Sequence, residues 1–476
     1  MTPLAPFLND PPTMEERSNI ELILKHGHQD LVQAVAFNSY GDRCATGSVD
    51  GKIRVFNRHK DGTWRHCDNW SAHGGEILEL QWLPPTIYPN LLASLGIEGR
   101  FKLWAEDPSA APGRRFSNAA RGSYSFDGGR GGGGSSRSGG VNGGSSGGGG
   151  GGGIGGSGSN STDNQPKAAF ETRSNKSPYR SFSMKHVDDT RHTYLALASA
   201  DGSLTVYENE QPENLADYTQ MDEFTVCPRR PARGEETAFR VRFDPNLEVC
   251  YTALRAGVPT DALGLVVAAM ESVRIYRTRD TVSASLGVAT AAREFYLAAE
   301  IKGHRGLVRD VAWAPGNIRG YDIIATACQD GLVRVFGLST PMPTAEDKKR
   351  GWSLGELKKG SRRGGGAAGA AAAAAAAAAT AAAHPRSGIR AGLDQERTGT
   401  DRSASGKPGE IAHVVTEISK LNNHRTPVWR VGFDDDGQIL GSVGDEGKLM
   451  CFRQTPNGSW AKSSEMAMTR HRMAMP

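Results

Sequence analysis

Residues 303–336 read GHRGLVRDVAWAPGNIRGYDIIATACQDGLVRVF. A Gly-His pair opens the stretch, an alternating run LVRDVAW follows, and a small-residue run ends at Asp330-Gly331 before a second alternating run closes on Phe336. Asp-Gly between two such runs is a strong hairpin signal, because the glycine supplies the positive φ of a tight turn. The same order recurs outward in both directions. Its other copies are ATGSVDGKIRVF ending at Phe56, ASLGIEGRFKLW at Trp104, ASADGSLTVY at Tyr207, VAAMESVRIY at Tyr276 and GSVGDEGKLMCF at Phe452. Six places before each aromatic stand Asp50, Glu98, Asp201, Met270, Asp330 and Glu446, acidic in all but the fourth copy. His28, His73, His304 and His424 precede the acidic residue by 22, 25, 26 and 22 positions, room for two strands and their turns. A strand-like run follows each histidine: LVQAVAF from Leu31, ILELQW from Ile77, LVRDVAW from Leu307 and VWRVGF from Val428.

Length and composition agree with a repeat architecture. Of the 476 residues 60 are glycine, more than half of them in a Gly/Ser-rich segment at 111–180 and an Ala/Gly-rich segment at 341–410. Such tracts cannot bury enough apolar surface to fold, so both are expected to be disordered inserts. About 330 residues remain, enough for six or seven four-stranded blades at about 40–45 residues each. The fold expected is all-β: a six-bladed propeller interrupted by the two inserts. The limits are a disordered N-terminus at 1–18, blades one and two at 19–110, blades three to five at 181–340, blade six at 411–466 and a tail at 467–476. The run IELILK at 20–25 could serve as a strand of the last blade and close the ring, yet SWAKSSEM at 459–466 would give that blade a fourth strand of its own. If both form, the ring stays open, and exposed strand edges template pairing with another chain.

The order of Gly-His, alternating strand, small-residue strand, Asp and aromatic resembles the WD-repeat family. That resemblance implies that the His, a Ser/Thr, the turn acid and the aromatic lock each blade. The residues concerned are His28, Asp50 and Phe56; His73, Glu98 and Trp104; Asp201 and Tyr207; Tyr276; His304, Asp330 and Phe336; and His424, Glu446 and Phe452. Three stretches are similar to one branch, the Seh-type nucleoporins of the nuclear pore's Y-shaped scaffold: GHQDLVQAVAFNSYGDRCATGSVDGKIRVF at 27–56, KLWAEDPSAAPGRRF at 102–116, and residues 303–336. This branch implies an open six-bladed propeller completed by a blade from a large α-helical nucleoporin, among other Y-complex subunits. It implies residence at the nuclear envelope in the nuclear pore complex and support of protein and mRNA transport. It also implies a second role at the vacuole membrane periphery in a TOR-regulating complex. The alternatives are a COPII-type vesicle coat subunit and a closed WD-repeat adaptor that reads peptides. The partner-binding edge is expected at Leu22, Leu24, Leu449, Cys451 and Trp460. Trp82, Trp104, Trp313 and Trp429 are expected in the core, while Trp64, Trp70 and Trp460 fall in or near outer strands as candidates for partner contact.

Several functions are disfavoured on chemistry. The net charge is +4, but the two inserts carry +6 and +5, which leaves the foldable body at −7. A negative body lacks the cationic face that phosphate binding requires, so no nucleic acid is expected on the folded core. The six cysteines are scattered without CxxC or zinc spacing, so no metal, cofactor or disulfide framework is expected. No apolar run reaches the 18 residues of a membrane span, the alanine tract 370–379 being the longest, and residues 1–16 lack a signal-peptide pattern. A cytosolic or nuclear compartment without membrane insertion follows. The repeated His and Asp recur once per unit rather than converging on one nucleophile, and no G-x-S-x-G elbow between a strand and a helix, P-loop or H-E-x-x-H motif is read, so no catalytic residues and no enzyme activity are expected. Arg-Gly stretches GGRGGGG at 128–134 and KKGSRRGGG at 358–366 are read as flexible linkers.

Overall fold

The computed structural model describes residues 24–467 apart from 88–89, 112, 117–166, 228, 233, 286–287, 317–319 and 341–409. These residues form six sheets, each of four antiparallel strands taken consecutively along the chain. Sheet one holds β1 Val32–Phe37, β2 Arg43–Ser48, β3 Lys52–Arg58 and β4 Trp64–Ser71; sheet two holds β5 Ile77–Trp82, β6 Leu91–Gly96, β7 Arg100–Ala105 and β8 Phe170–Arg173. Sheet three holds β9 Tyr179–Val187, β10 His192–Ser199, β11 Ser203–Asn209 and β12 Thr219–Thr225; sheet four holds β13 Phe239–Phe243, β14 Gly264–Ala269, β15 Ser272–Ser285 and β16 Val288–Ile301. Sheet five holds β17 Val308–Trp313, β18 Asp322–Cys328, β19 Val333–Ser339 and β20 Val414–Leu421; sheet six holds β21 Val428–Phe433, β22 Ile439–Gly444, β23 Lys448–Gln454 and β24 Trp460–Ala467. One short helix, α1 Tyr251–Ala256, lies between β13 and β14. This is the six-bladed propeller that the repeats predict.

Sheets two to five are apolar on both faces because each sits between two others. β6 and β18 are buried at every position, which explains why LLASLG and DIIATAC read as near-continuous apolar or small-residue runs rather than strict alternation. Five apolar clusters fasten the sheets in series. Ile53 and Trp70 of sheet one pack with Ile77 and Trp104 of sheet two, and Leu95 and Leu103 of sheet two pack with Phe182 and Leu195 of sheet three. Val206 meets Val241 and Leu265 between sheets three and four, Ile275 meets Trp313 and Ile324 between four and five, and Val335 meets Leu440 and Phe452 between five and six. Each fully buried side chain of this size contributes about 1.5–3 kcal/mol. Among the described residues no such cluster joins sheet six back to sheet one.

The hairpin turns behave as their residues require. Gly51 has φ +74, and a Cβ there would meet the His73 carbonyl oxygen at 2.5 Å, so both conformation and space demand glycine. Sheet four makes the corresponding turn with Met270 at φ 59, an unusual state for a long side chain; it is held by main-chain bonds from Met270 N to Ala238 O and from Val308 N to Met270 O.

Three sequence expectations need amendment. β8 falls inside the segment 111–180 read as an insert, and β20 completes sheet five although blade five was limited to 340. The four-residue β8 lacks a repeat signature, and the 341–410 segment separates β20 from β19 in sequence, so local pattern could not join either strand to its sheet. Of IELILK at 20–25, residues 20–23 lie outside the described residues, and Leu24 and Lys25 are not in a strand.

Candidate functional site

Four sheets carry the histidine-centred lock. His28 Nδ1 lies 3.2 Å from Asp50 Oδ2 and its Nε2 lies 2.9 Å from Thr46 Oγ1. His73 Nδ1 lies 2.6 Å from Glu98 Oε1 and Nε2 lies 2.8 Å from Ser94 Oγ, whose oxygen accepts from Trp104 Nε1 at 2.8 Å. His424 joins Glu446 and, at 2.6 Å, Ser442 Oγ. In sheet five His304 Nε2 meets Thr326 Oγ1 at 3.0 Å, but Asp330 turns to Arg334 at 2.9 Å and to the amides of Arg305 and Leu332. Sheet three has no such histidine, and there Asp201 accepts from Ser203 N and Arg230. The closing aromatics Phe56, Trp104, Tyr276, Phe336 and Phe452 are buried, whereas Tyr207 is half-buried. These hydroxyl, imidazole and carboxylate sets resemble catalytic triads in composition only. They recur sheet by sheet, and each spans a hairpin to its own preceding loop. Among the described residues no group of three His, Cys, Asp or Glu side chains is placed to hold a metal ion.

A second network occupies the ring axis, where sequence reading placed nothing. Arg242 Nη1 contacts Glu79 Oε1 at 2.6 Å, Arg240 Nη1 lies 3.4 Å from Glu79 Oε2, and Arg242 Nη2 lies 3.8 Å from Asp310 Oδ1. Burial acts to raise the Glu79 carboxyl, yet Arg242, Arg240 and Arg430 hold it down to about 2. The available signal was a charge at an inward position of an otherwise apolar first strand: the glutamate of ILELQW, the aspartate of LVRDVAW and the arginines of FRVRF.

The edge expected to bind a partner divides. A cavity of about 800 Å³ runs from the axis, at Glu79, Arg242 and Asp310, into the space between β1 of sheet one and β21 to β23 of sheet six, bordered there by Val35, Phe37, Arg430, Val443 and Leu449. Val35 pairs with Thr46 as Leu80 pairs with Ser94 and Val311 with Thr326, so the three hold one register position. Leu80 and Val311 are 8% and 1% exposed, but Val35 is 54% and the neighbouring Phe37 57% exposed. Leu449 and Cys451 are half-buried and alternate along β23 with Met450 and Phe452, which pack toward sheet five. Leu24 is half-buried in a coil, and Leu22 lies outside the described residues.

Trp460 corrects the expectation of a partner-facing outer strand. It is 4% exposed, its ring lies 5.6 Å from that of Phe433, and its amide donates to Ser419 Oγ of β20 at 2.7 Å. Trp460 is therefore part of the junction between sheets five and six. Trp70 is likewise buried, stacked on Phe116 at 5.2 Å, while Trp64 is half-buried. Trp429 departs in the other direction. It sits at the bulged residue of β21 and is 43% exposed under the Arg309 guanidinium, whereas Trp82, Trp104 and Trp313 are core.

Comparison with known proteins identifies the repeat and the branch. The WD domain, G-beta repeat family model matches residues 20–57 and 295–337. Nucleoporin SEH1 of Chaetomium thermophilum is 57% identical over 100% of both chains. Nucleoporin SEH1 of Saccharomyces cerevisiae is 25% identical over 90% of this chain and 94% of that protein, and the human protein of the same name is 20% identical over 91% and 84%. The full-length match and the six sheets lead to one conclusion: this chain belongs to the SEH1 family of WD-repeat nucleoporins, non-catalytic scaffold propellers.

Proposed function

We propose that the chain is a scaffold subunit of the nuclear pore's Y-shaped subcomplex at the nuclear envelope, and that a large α-helical nucleoporin inserts a blade between its sixth and first sheets. In this role it supports transport of protein and mRNA between nucleus and cytoplasm by holding the scaffold together rather than by carrying cargo. The observation that carries the reading is the gap. Val35 and Phe37, which in closed junctions would be covered, face solvent beside a cavity of about 800 Å³. β24 gives sheet six its own fourth strand, which speaks against a self-closed peptide-binding adaptor. An occupying strand would gain affinity from main-chain pairing and from covering the apolar walls.

The test is affinity capture of the tagged full-length chain from native extract, followed by mass spectrometry and photo-crosslinking from position 37. The expected result is a large helical nucleoporin crosslinked at the gap, with a rise in melting temperature when the purified pair is compared with the free chain. Such an interface should bury about 2,000 Å² or more. Recovery of vesicle-coat subunits in its place, or a crosslink confined to the chain itself, would overturn the proposal.

A further inference from the structure

Three junctions between sheets repeat one hydrogen bond. A polar side chain just past the bulge of the first strand accepts the amide of the next sheet. Glu79 Oε2 accepts from Phe182 N at 3.1 Å, Ser181 Oγ from Val241 N at 3.2 Å, and Asp310 Oδ2 from Val431 N at 3.2 Å. The residues that hold this position around the ring are Ala34, Glu79, Ser181, Arg240, Asp310 and Arg430. Where it is Arg240 the polarity inverts, and its guanidinium donates to the carbonyl of Arg309 in the next sheet at 3.4 Å. Ala34 offers nothing; sheets one and two are tied elsewhere, by Trp82 Nε1 donating to Ala36 O at 3.2 Å and by Arg43 on Glu106 at 2.6 Å.

The sixth position breaks the series. Arg430 borders the gap cavity, and among the described residues its guanidinium makes no hydrogen bond or ion pair of the kind that Arg240 and Arg242 make. On the far side, Val35 N–H holds the donor place that Phe182, Val241 and Val431 hold elsewhere, and no side chain of a preceding sheet accepts it. The axis is also unbalanced. Arg240, Arg242 and Arg430 face two carboxylates, Glu79 and Asp310, and Arg430 acts electrostatically on both Glu79 and Arg240. Asp310 provides the pattern for completion: it lies between Arg242 of sheet four and the amide of Val431 in sheet six, and serves both.

We infer that the strand filling the gap presents an aspartate or glutamate on its axial side, whose carboxylate accepts the Val35 amide and pairs with Arg430. This rests on the blade insertion proposed above and adds to it the chemistry by which the inserted strand is set in register. A one-residue slip would turn that carboxylate away from Arg430 and toward an apolar wall, so the pair selects one alignment of the incoming strand.

The experiment uses the tagged full-length chain co-expressed with the large helical nucleoporin of its own host, with affinity measured at two salt concentrations. Arg430→Glu, Arg430→Gln and Phe37→Asp are compared, each checked by melting temperature as the free chain. Arg430→Glu should weaken binding about thirtyfold or more, Arg430→Gln less, and both should lower the salt dependence. Reversing the crosslinked partner carboxylate to Arg should restore binding to Arg430→Glu. If Phe37→Asp abolishes binding while both Arg430 variants bind as wild type, the carboxylate is overturned and blade insertion stands. Restoration by no partner carboxylate, or a partner strand that aligns Ser or Thr there, also overturns it. If Phe37→Asp binds as wild type, insertion fails and the inference falls with it.

Discussion

Arg242 on the first strand of sheet four reaches Glu79 on the first strand of sheet two, Nη1 to Oε1 2.6 Å, with the whole of sheet three between them in sequence. Glu79 also takes the Ser181 hydroxyl at 3.0 Å and the Phe182 amide at 3.1 Å from that intervening sheet. One buried carboxylate thus ties three sheets. Removing one partner of such a pair leaves uncompensated charge, so Glu79→Gln should cost about 3–5 kcal/mol in urea denaturation. An unchanged midpoint would show that the axis pair contributes nothing.

Glu79 also sets a pH dependence. Its carboxyl is held at about 2 in the folded chain against 4.5 ordinarily, so its contribution is complete above pH 4.5 and is lost as the pH falls toward 2. Melting temperature measured from pH 5 to pH 2.5 should fall less steeply in Glu79→Gln than in the parent.

His304 acts in a separate window. Burial first, then the charge of Arg334, hold its imidazole at about 4 against 6.5, so the folded form keeps it neutral. The unfolded chain takes up the proton first, and stability therefore declines as pH falls from 6.5 toward 4. His304→Gln should flatten that part of the pH profile and leave the region below pH 4 unchanged.

The Ser94 hydroxyl joins two rings at once, bonding His73 Nε2 and accepting the Trp104 indole N–H, whereas Thr326 bonds His304 and its sheet ends in Phe336. Ser94→Ala should destabilise by about 1–3 kcal/mol for the orphaned buried groups, and by more than Thr326→Val. Paired denaturation curves give the comparison, and equal losses would remove the indole from the lock.

Trp460→Ala should cost about 3–5 kcal/mol by emptying the junction of sheets five and six, with faster amide exchange across β21 to β24. Val35→Asn, by contrast, alters a solvent-facing side chain and should change the free chain's stability by no more than about 0.5 kcal/mol while weakening capture of the helical partner proposed above.

Much of this was legible in local pattern. Asp50-Gly51 and Asp330-Gly331 announce hairpins because glycine alone meets the turn at no cost, and the His-to-acid spacing follows from two strands of fixed rise. Those signals located the repeats, and the His–acid pairs stand in sheets one, two and six, while Asp201 and Asp330 take other partners. They could not place β8 or β20, since a short or distant fourth strand is chosen by the edge it pairs with. They also misplaced Trp460, whose eight-residue strand is otherwise exposed, because period-two patterning does not say which face of an outer strand a neighbouring sheet covers.

By itself the sequence determined the repeated inner strands, their hairpin turns and the number of sheets, since these depend on residues within a few positions of each other. Only the tertiary structure decided which first-strand charges meet on the axis and which junction stays without a cluster. Glu79, Arg242 and Asp310 come from three separate repeats, and ring curvature brings them together. Val35 and Phe37 look like any inward strand residues in LVQAVAF; their exposure follows from the missing neighbour beside sheet one, a property of how the sheets are arranged and of no single repeat.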